Sequence, residues 1–126
     1  MNVFLFAAAC LTVVVAMVHS ILGEVLIFRN LRKSGLVPTK GGTALKERHV
    51  RILWASWHVL TILGLGMAVI LFRMVYPVSE LIVHDFIMSV ISISMFLAAI
   101  LVLVGTKARH PGWVGLSAVA VLLWLV

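Results

Sequence analysis

The chain has 126 residues, of which 63% are hydrophobic and 11% are charged, and its formal net charge at pH 7 is +6. So few polar side chains cannot cover a water-soluble core, which excludes a soluble globular domain and predicts an integral membrane protein. The length allows one domain, 1–126, and the alternation of apolar runs with short breaks predicts an all-α, up-down bundle of four membrane helices.

The first predicted helix covers 2–28, which is long enough to cross ~30 Å of hydrocarbon. It contains Cys10, the only cysteine, so neither an intramolecular disulfide nor a thiolate metal cluster can form. Towards its end, Ser20 and Glu24 share one helix face and His19 lies on the adjoining stripe. Ionisable groups inside a membrane helix are costly, by ~2.5–3.5 kcal/mol for a central Asp, and therefore mark a candidate functional site.

The second predicted helix, 48–72, follows a Pro- and Gly-bearing loop, 29–47, which we predict to be a solvated connector. The helix carries Arg51, Trp54 and His58 at helical spacing, so they form a polar and aromatic stripe that enters the membrane from this loop.

Depth along the two helices predicts which of these side chains meet. From the loop end of its helix, His19 lies ~13 Å inside and His58 lies ~15 Å inside, so the two imidazoles should be level. Glu24 and Arg51 lie only ~4–6 Å inside, and we predict that they form an ion pair.

The third predicted helix covers 80–105 and the fourth covers 111–126, joined by a short loop, 106–110. His84 and Asp85 begin the third helix and form a secondary candidate site, for a metal or for proton entry, at the opposite end of the bundle from the long loop. An ordinary helix start with acidic residues in its first turn is the explanation that we favour for them. The fourth run covers only ~24 Å, and we still predict that it spans the membrane.

The basic residues predict the topology. Of the ten, only Arg73 lies in the second loop, and the other nine lie in or beside the first and third loops. By the positive-inside rule these two loops are cytoplasmic and both termini are outside, periplasmic or extracellular. We therefore expect a multi-pass protein of the prokaryotic inner membrane, whose basic charge serves topology and lipid contact rather than nucleic-acid binding.

The functional prediction is a buried polar cluster near the bilayer centre that binds a small ligand, as a subunit in membrane redox or ligand handling. The ligand could be a b-type haem or a metal ion held by His19 and His58, or a quinone-like molecule that contacts imidazole or arginine. In the competing interpretation, each histidine only bonds to a backbone carbonyl, a serine or a carboxylate across the bundle. The predicted ligand-binding residues are His19, Glu24, Arg51, Trp54 and His58; Ser20 and Thr61 complete the cluster.

Two other classes of function stay open, and the sequence leaves undecided whether the chain is an enzyme. In size, four-helix layout and first-helix glutamate (Glu24), the chain resembles the small multidrug-resistance transporters, although it lacks their aromatic and glycine motifs. That likeness of architecture implies a proton-coupled transporter in which Glu24 titrates. The third possibility is a structural or assembly subunit, and for every class we expect lipid contact and either a homo-oligomer or a larger membrane complex.

Overall fold

The computed structural model describes residues 1–77 and 79–125, and it confirms an all-helical chain with four helices; the described part contains no strand. No observed boundary differs from its prediction by more than two residues, and the predicted end of the last helix, at residue 126, lies outside the described residues. The helices are α1 (Val3–Leu26), α2 (Glu47–Met74), α3 (Glu80–Thr106) and α4 (Gly112–Trp124).

Helices α1, α2 and α3 contain 24, 28 and 27 residues and are long and apolar enough to cross a membrane. Helix α4 is apolar but has only 13 residues, which gives it a length of ~20 Å. Pro111 is the N-cap of α4. An N–H at this position would not take part in a helical hydrogen bond, so proline is tolerated there. Three helices are therefore long and apolar enough to span a membrane, and a fourth span stays a prediction.

Consecutive helices run antiparallel and pack side by side. The Asn2 N–H donates to the Val75 carbonyl at 2.9 Å, which ties the start of α1 to the end of α2. The Ser92 hydroxyl donates to the Ala120 carbonyl at 2.8 Å, which ties α3 to α4. Within the described part of the chain, extensive helix contacts join only consecutive helices. The four helices therefore form an open row, with α1 at one edge and α4 at the other.

Small residues bring the helices together. Ala9, Ala16 and Gly23 are the buried residues of α1, and their seven-residue spacing is typical of left-handed packing at a shallow crossing angle. A Cβ at Gly64 of α2 would lie 3.2 Å from the Cβ of Ala16, and a Cβ at Gly105 of α3 would lie 3.1 Å from the Cβ of Ala55. The backbones therefore approach closely at both contacts of α2.

Most residues of the long loop are exposed, as predicted for a solvated connector, but part of the loop is folded against the helices. A 3-10 helix, Phe28–Leu31, follows α1, and the Leu31 carbonyl accepts hydrogen bonds from the N–H groups of Thr39 and Lys40 at 3.0 and 2.8 Å. Pro38 is fully buried, and Val37 packs against the core cluster at the adjoining ends of α2 and α3. The loop thus covers this end of the helix row, where the loop between α3 and α4 also lies.

Candidate functional site

A cross-helix chain of polar side chains is centred on His58 of α2. The Nδ1 atom of His58 lies 2.8 Å from the hydroxyl oxygen of Ser20, and its Nε2 atom lies 3.7 Å from Oε2 of Glu24. The other carboxylate oxygen of Glu24 forms an ion pair with Arg32, just beyond the 3-10 helix. We call these four residues the polar chain. Ser20 and Glu24 share the helix face that their spacing predicts, and that face meets α2.

The predicted ion pair between Glu24 and Arg51 is wrong. Arg51 instead contacts Glu47 of its own helix, with 3.4 Å between Nη1 and Oε1, and Glu24 contacts Arg32. The prediction assumed that the two helices end level at the loop, whereas Gly23 lies opposite Trp57. Residue 56 is then opposite Glu24, and Arg51 is five residues, or ~7.5 Å, too far along.

Trp57 is fixed against α1 in a gap that Gly23 leaves. A Cβ at Gly23 would collide with the indole nitrogen of Trp57 and lie 2.5 Å from its Cε2. The indole N–H donates to the His19 carbonyl at 3.0 Å, and the indole stacks on the His19 imidazole with 4.3 Å between ring centroids and 8° between planes. Trp57 therefore sets the position of the His19 ring.

Two aromatic side chains enclose His58. The Trp54 ring meets it edge to face with centroids 4.9 Å apart, and the Phe28 ring lies 6.1 Å away. Both are buried. The structure thus places Trp54 beside His58, as its helical spacing predicts. Phe28 and Arg32 were missed because they lie beyond the end of α1, in and after the 3-10 helix, where α-helical periodicity does not position side chains.

His19 and His58 occupy different surroundings. His58 bonds to a serine and faces a carboxylate, as the competing interpretation predicts. Within residues 1–77 and 79–125, no three His, Cys, Asp or Glu side chains lie close enough together to hold one metal ion. The donor set around His58 therefore gives a haem or metal site no support.

His19 instead lines an open surface cavity of about 240 Å³ between α1 and α2, which we call the α1–α2 groove. The Nε2 atom of His19 and the Oγ1 atom of Thr61 are buried and have no hydrogen-bond partner among the described residues. Two of the apolar side chains along the groove, Val15 and Leu60, are each 58% exposed on the membrane face. The groove is lined by Thr12, Val15, Ala16, His19, Leu60, Thr61 and Gly64.

The secondary candidate site is a surface pair. His84 Nδ1 lies 3.3 Å from Asp85 Oδ1, and both side chains are largely exposed. They border a cavity of about 290 Å³ that Trp124 of α4 also lines. Both residues lie in the second turn of α3, whose first turn holds Glu80 as its acidic residue.

Comparison with known proteins adds no assignment to this geometry. No protein-family model matches the chain, and no curated protein and no solved structure is significantly similar to it. The class of protein that the fold defines is a small helical protein with three helices able to cross a membrane.

Proposed function

We propose that this small membrane protein binds a neutral lipophilic molecule with a ring carbonyl, such as a quinone, in the α1–α2 groove, as a subunit in membrane redox or ligand handling. The observation that carries the proposal is the pair of unpartnered buried polar atoms, His19 Nε2 and Thr61 Oγ1, on an otherwise apolar groove. Each unpaired buried group costs about 1–3 kcal/mol, so a ligand oxygen that accepts their hydrogen bonds would recover part of that cost.

The chemistry of the groove suits such a ligand. A neutral imidazole with its proton on Nε2 donates one hydrogen bond, and a threonine hydroxyl donates another. Stacking on Trp57 holds the imidazole in place before the ligand binds, which reduces the ordering cost of binding. A volume of about 240 Å³ is just below the ~300–1,000 Å³ of typical ligand pockets. A single ring fits that volume, with its tail in lipid.

The polar chain favours proton-coupled transport as a second candidate function. Glu24 Oε2 and His58 Nε2 face each other at 3.7 Å, and their side chains are 29% and 18% exposed. Adjacent carboxyl and imidazole groups inside membrane helices form proton relays in pumps and transporters, and a proton there could compete with a cationic substrate. Glu24→Gln separates the two functions: it would abolish proton-coupled uptake into vesicles and leave quinone binding in the groove within about twofold.

Topology and location belong to the same proposal. The two loops that carry seven of the ten basic residues lie at one end of the helix row, as do Arg48 and Arg51 at the start of α2. We propose that this end is cytoplasmic, with both termini outside. A bacterial inner membrane is the setting we infer. Because the row is open at α1 and α4, each edge offers an apolar flank to lipid, to a second copy or to another subunit.

The test of the groove is a titration of a decyl-tailed ubiquinone analogue into the protein in lipid nanodiscs, with binding followed by quenching of tryptophan fluorescence. His19→Phe keeps a ring on Trp57 and removes the donor, and Thr61→Val removes the hydroxyl at nearly constant volume. Loss of one hydrogen bond, about 0.5–1.5 kcal/mol, predicts a dissociation constant that is roughly 2- to 13-fold higher for each variant.

Thr12→Val is the matched control. Thr12 lines the same groove, but its hydroxyl already donates to the Ala8 carbonyl at 2.8 Å, so quinone affinity should stay within twofold. Equal affinities of the native protein, His19→Phe and Thr61→Val would refute the assignment. An oxidised-minus-reduced absorption spectrum of protein purified from its native host tests the haem alternative. A Soret band that disappears in His58→Ala would show that the protein binds haem and would refute the quinone proposal.

A further inference from the structure

A second cavity lies at the loop end of the row, away from the groove and the polar chain. It has a volume of about 270 Å³ and is bounded by the first turns of α2 and by the turn between α3 and α4. We call it the basic pocket. The polar side chains that line it are Glu47, Arg48, Arg51, Thr106, Lys107, Arg109 and His110.

The charge of the basic pocket is strongly one-sided. Four of its side chains are cationic and Glu47 is the only anion. His110 adds a donor, because its Nδ1 accepts a hydrogen bond from the Gly112 N–H at 3.1 Å. A neutral imidazole that accepts at Nδ1 carries its proton on Nε2. Donors and positive charge therefore converge on one concave surface.

Arg51 is the buried member of this set. Its side chain is only 10% exposed and its one ion pair is with the half-exposed Glu47 at 3.4 Å. The Nε atom of Arg51 is buried and has no hydrogen-bond partner within the described chain. A buried guanidinium that lacks a hydrogen-bond partner is unfavourable. Its planar set of N–H donors fits an anion that accepts two hydrogen bonds at once.

We propose that the basic pocket binds a phosphate group, with Arg51 at its base and Lys107 and Arg109 at its rim. A tetrahedral phosphate occupies a few times the ~30 Å³ of one water, so the cavity has room for it and for the first atoms of the molecule that carries it. The pocket lies where charged ends of membrane helices meet the headgroup layer, and basic pockets there recognise anionic lipid headgroups. The phosphate could therefore belong to a lipid or to a soluble phosphate compound.

The experiment titrates short-chain phosphatidylglycerol into the full-length protein in maltoside micelles and reads the shift in thermal unfolding temperature. The Lys107→Gln, Arg109→Gln double variant removes two exposed rim charges without touching the core. The Arg29→Gln, Lys33→Gln double variant removes two exposed charges from the same end of the molecule but outside the pocket. We expect saturable 1:1 binding that is roughly 10- to 30-fold weaker in the rim variant and within threefold of native in the control.

Competition distinguishes the two sources of the phosphate. If inorganic phosphate at a 100-fold excess displaces the lipid, the pocket recognises the phosphate itself; if it does not, the lipid's glycerol or chains are part of the ligand. Short-chain diacylglycerol, which has no phosphate, should not shift the unfolding temperature at all. Absence of saturable binding, or equal weakening in the two double variants, would overturn the proposal.

Discussion

Substitution of Gly23 by alanine should destabilise the protein, whereas the same substitution at the open Gly115 should not. The added Cβ would overlap the five-membered ring of Trp57, and overpacking of this kind costs about 1–3 kcal/mol. If Trp57 moves away instead, its hydrogen bond to the His19 carbonyl is lost at about 0.5–1.5 kcal/mol. Its stack on the His19 ring is lost at a similar cost.

Alanine also has a higher helix propensity than glycine, which returns about 1 kcal/mol. Either route, overpacking at about 2 kcal/mol or loss of the hydrogen bond and the stack at about 1 kcal/mol each, less this gain, gives a net destabilisation of about 1 kcal/mol for Gly23→Ala. The magnitude is set by the neighbour of the glycine. At Gly115 of α4 a Cβ meets nothing within 4 Å, so Gly115→Ala should be neutral or stabilising by up to about 1 kcal/mol.

The assay is reversible unfolding in mixed micelles, driven by sodium dodecyl sulfate and followed by far-ultraviolet circular dichroism. A double-mutant cycle with Trp57→Ala isolates the collision. In the Trp57→Ala background, Gly23→Ala should no longer destabilise, because the ring that it strikes is gone. Equal unfolding free energies for Gly23→Ala and Gly115→Ala would show that Trp57 does not occupy the gap at Gly23.

Three further predictions concern contacts between and at the ends of helices, and the same unfolding assay measures each of them. Ser92→Ala should lower the free energy of unfolding by about 1 kcal/mol because it removes the buried hydrogen bond to the Ala120 carbonyl. Ser89→Ala, whose exposed hydroxyl bonds within α3, should change it little, and equal effects would contradict a tie between α3 and α4. Ala108→Gly should stabilise by about 0.5–1 kcal/mol because Ala108 has a φ of 59°, a conformation that glycine adopts without strain; the control Ala118→Gly, at an exposed helical site, should destabilise, and a loss of stability in both would contradict the left-handed turn. Glu24→Gln should lower the free energy of unfolding by about 1–3 kcal/mol because it weakens the contacts with Arg32 and His58. Glu47→Gln, at a half-exposed carboxylate, should lower it by under about 1 kcal/mol, and a smaller loss for Glu24→Gln than for Glu47→Gln would argue against the polar chain.

The helices could be predicted from the sequence because the signals that define them are local. The apolar runs are bounded by charged residues and by prolines such as Pro77 and Pro111. Each described helix boundary lies within two residues of its predicted position. The face of α1 that carries Ser20 and Glu24 followed from helical periodicity alone.

The partners across helices could not be predicted as reliably, because they depend on register and on loops. The prediction assumed that α1 and α2 end at the same level, which put Glu24 opposite Arg51. In the structure Trp57 packs into the gap at Gly23, and this shifts α1 relative to α2 by about one helical turn. Arg32 reaches Glu24 only because a 3-10 helix tightens the chain after α1. Matching depth for His19 and His58 was similarly insufficient, since one ring stacks on Trp57 and the other bonds to Ser20.

The unequal lengths of the two edge helices have a consequence for the surrounding bilayer. Helix α1, with 24 residues, rises ~36 Å, whereas α4, with 13, rises ~20 Å. In the proposed membrane setting, lipid beside α1 would meet an apolar wall at least as tall as its hydrocarbon layer, and lipid beside α4 would have to thin to match a shorter one. This one-sided mismatch would draw the protein towards thin patches of membrane, or would orient its α4 edge towards a neighbour that fills the deficit.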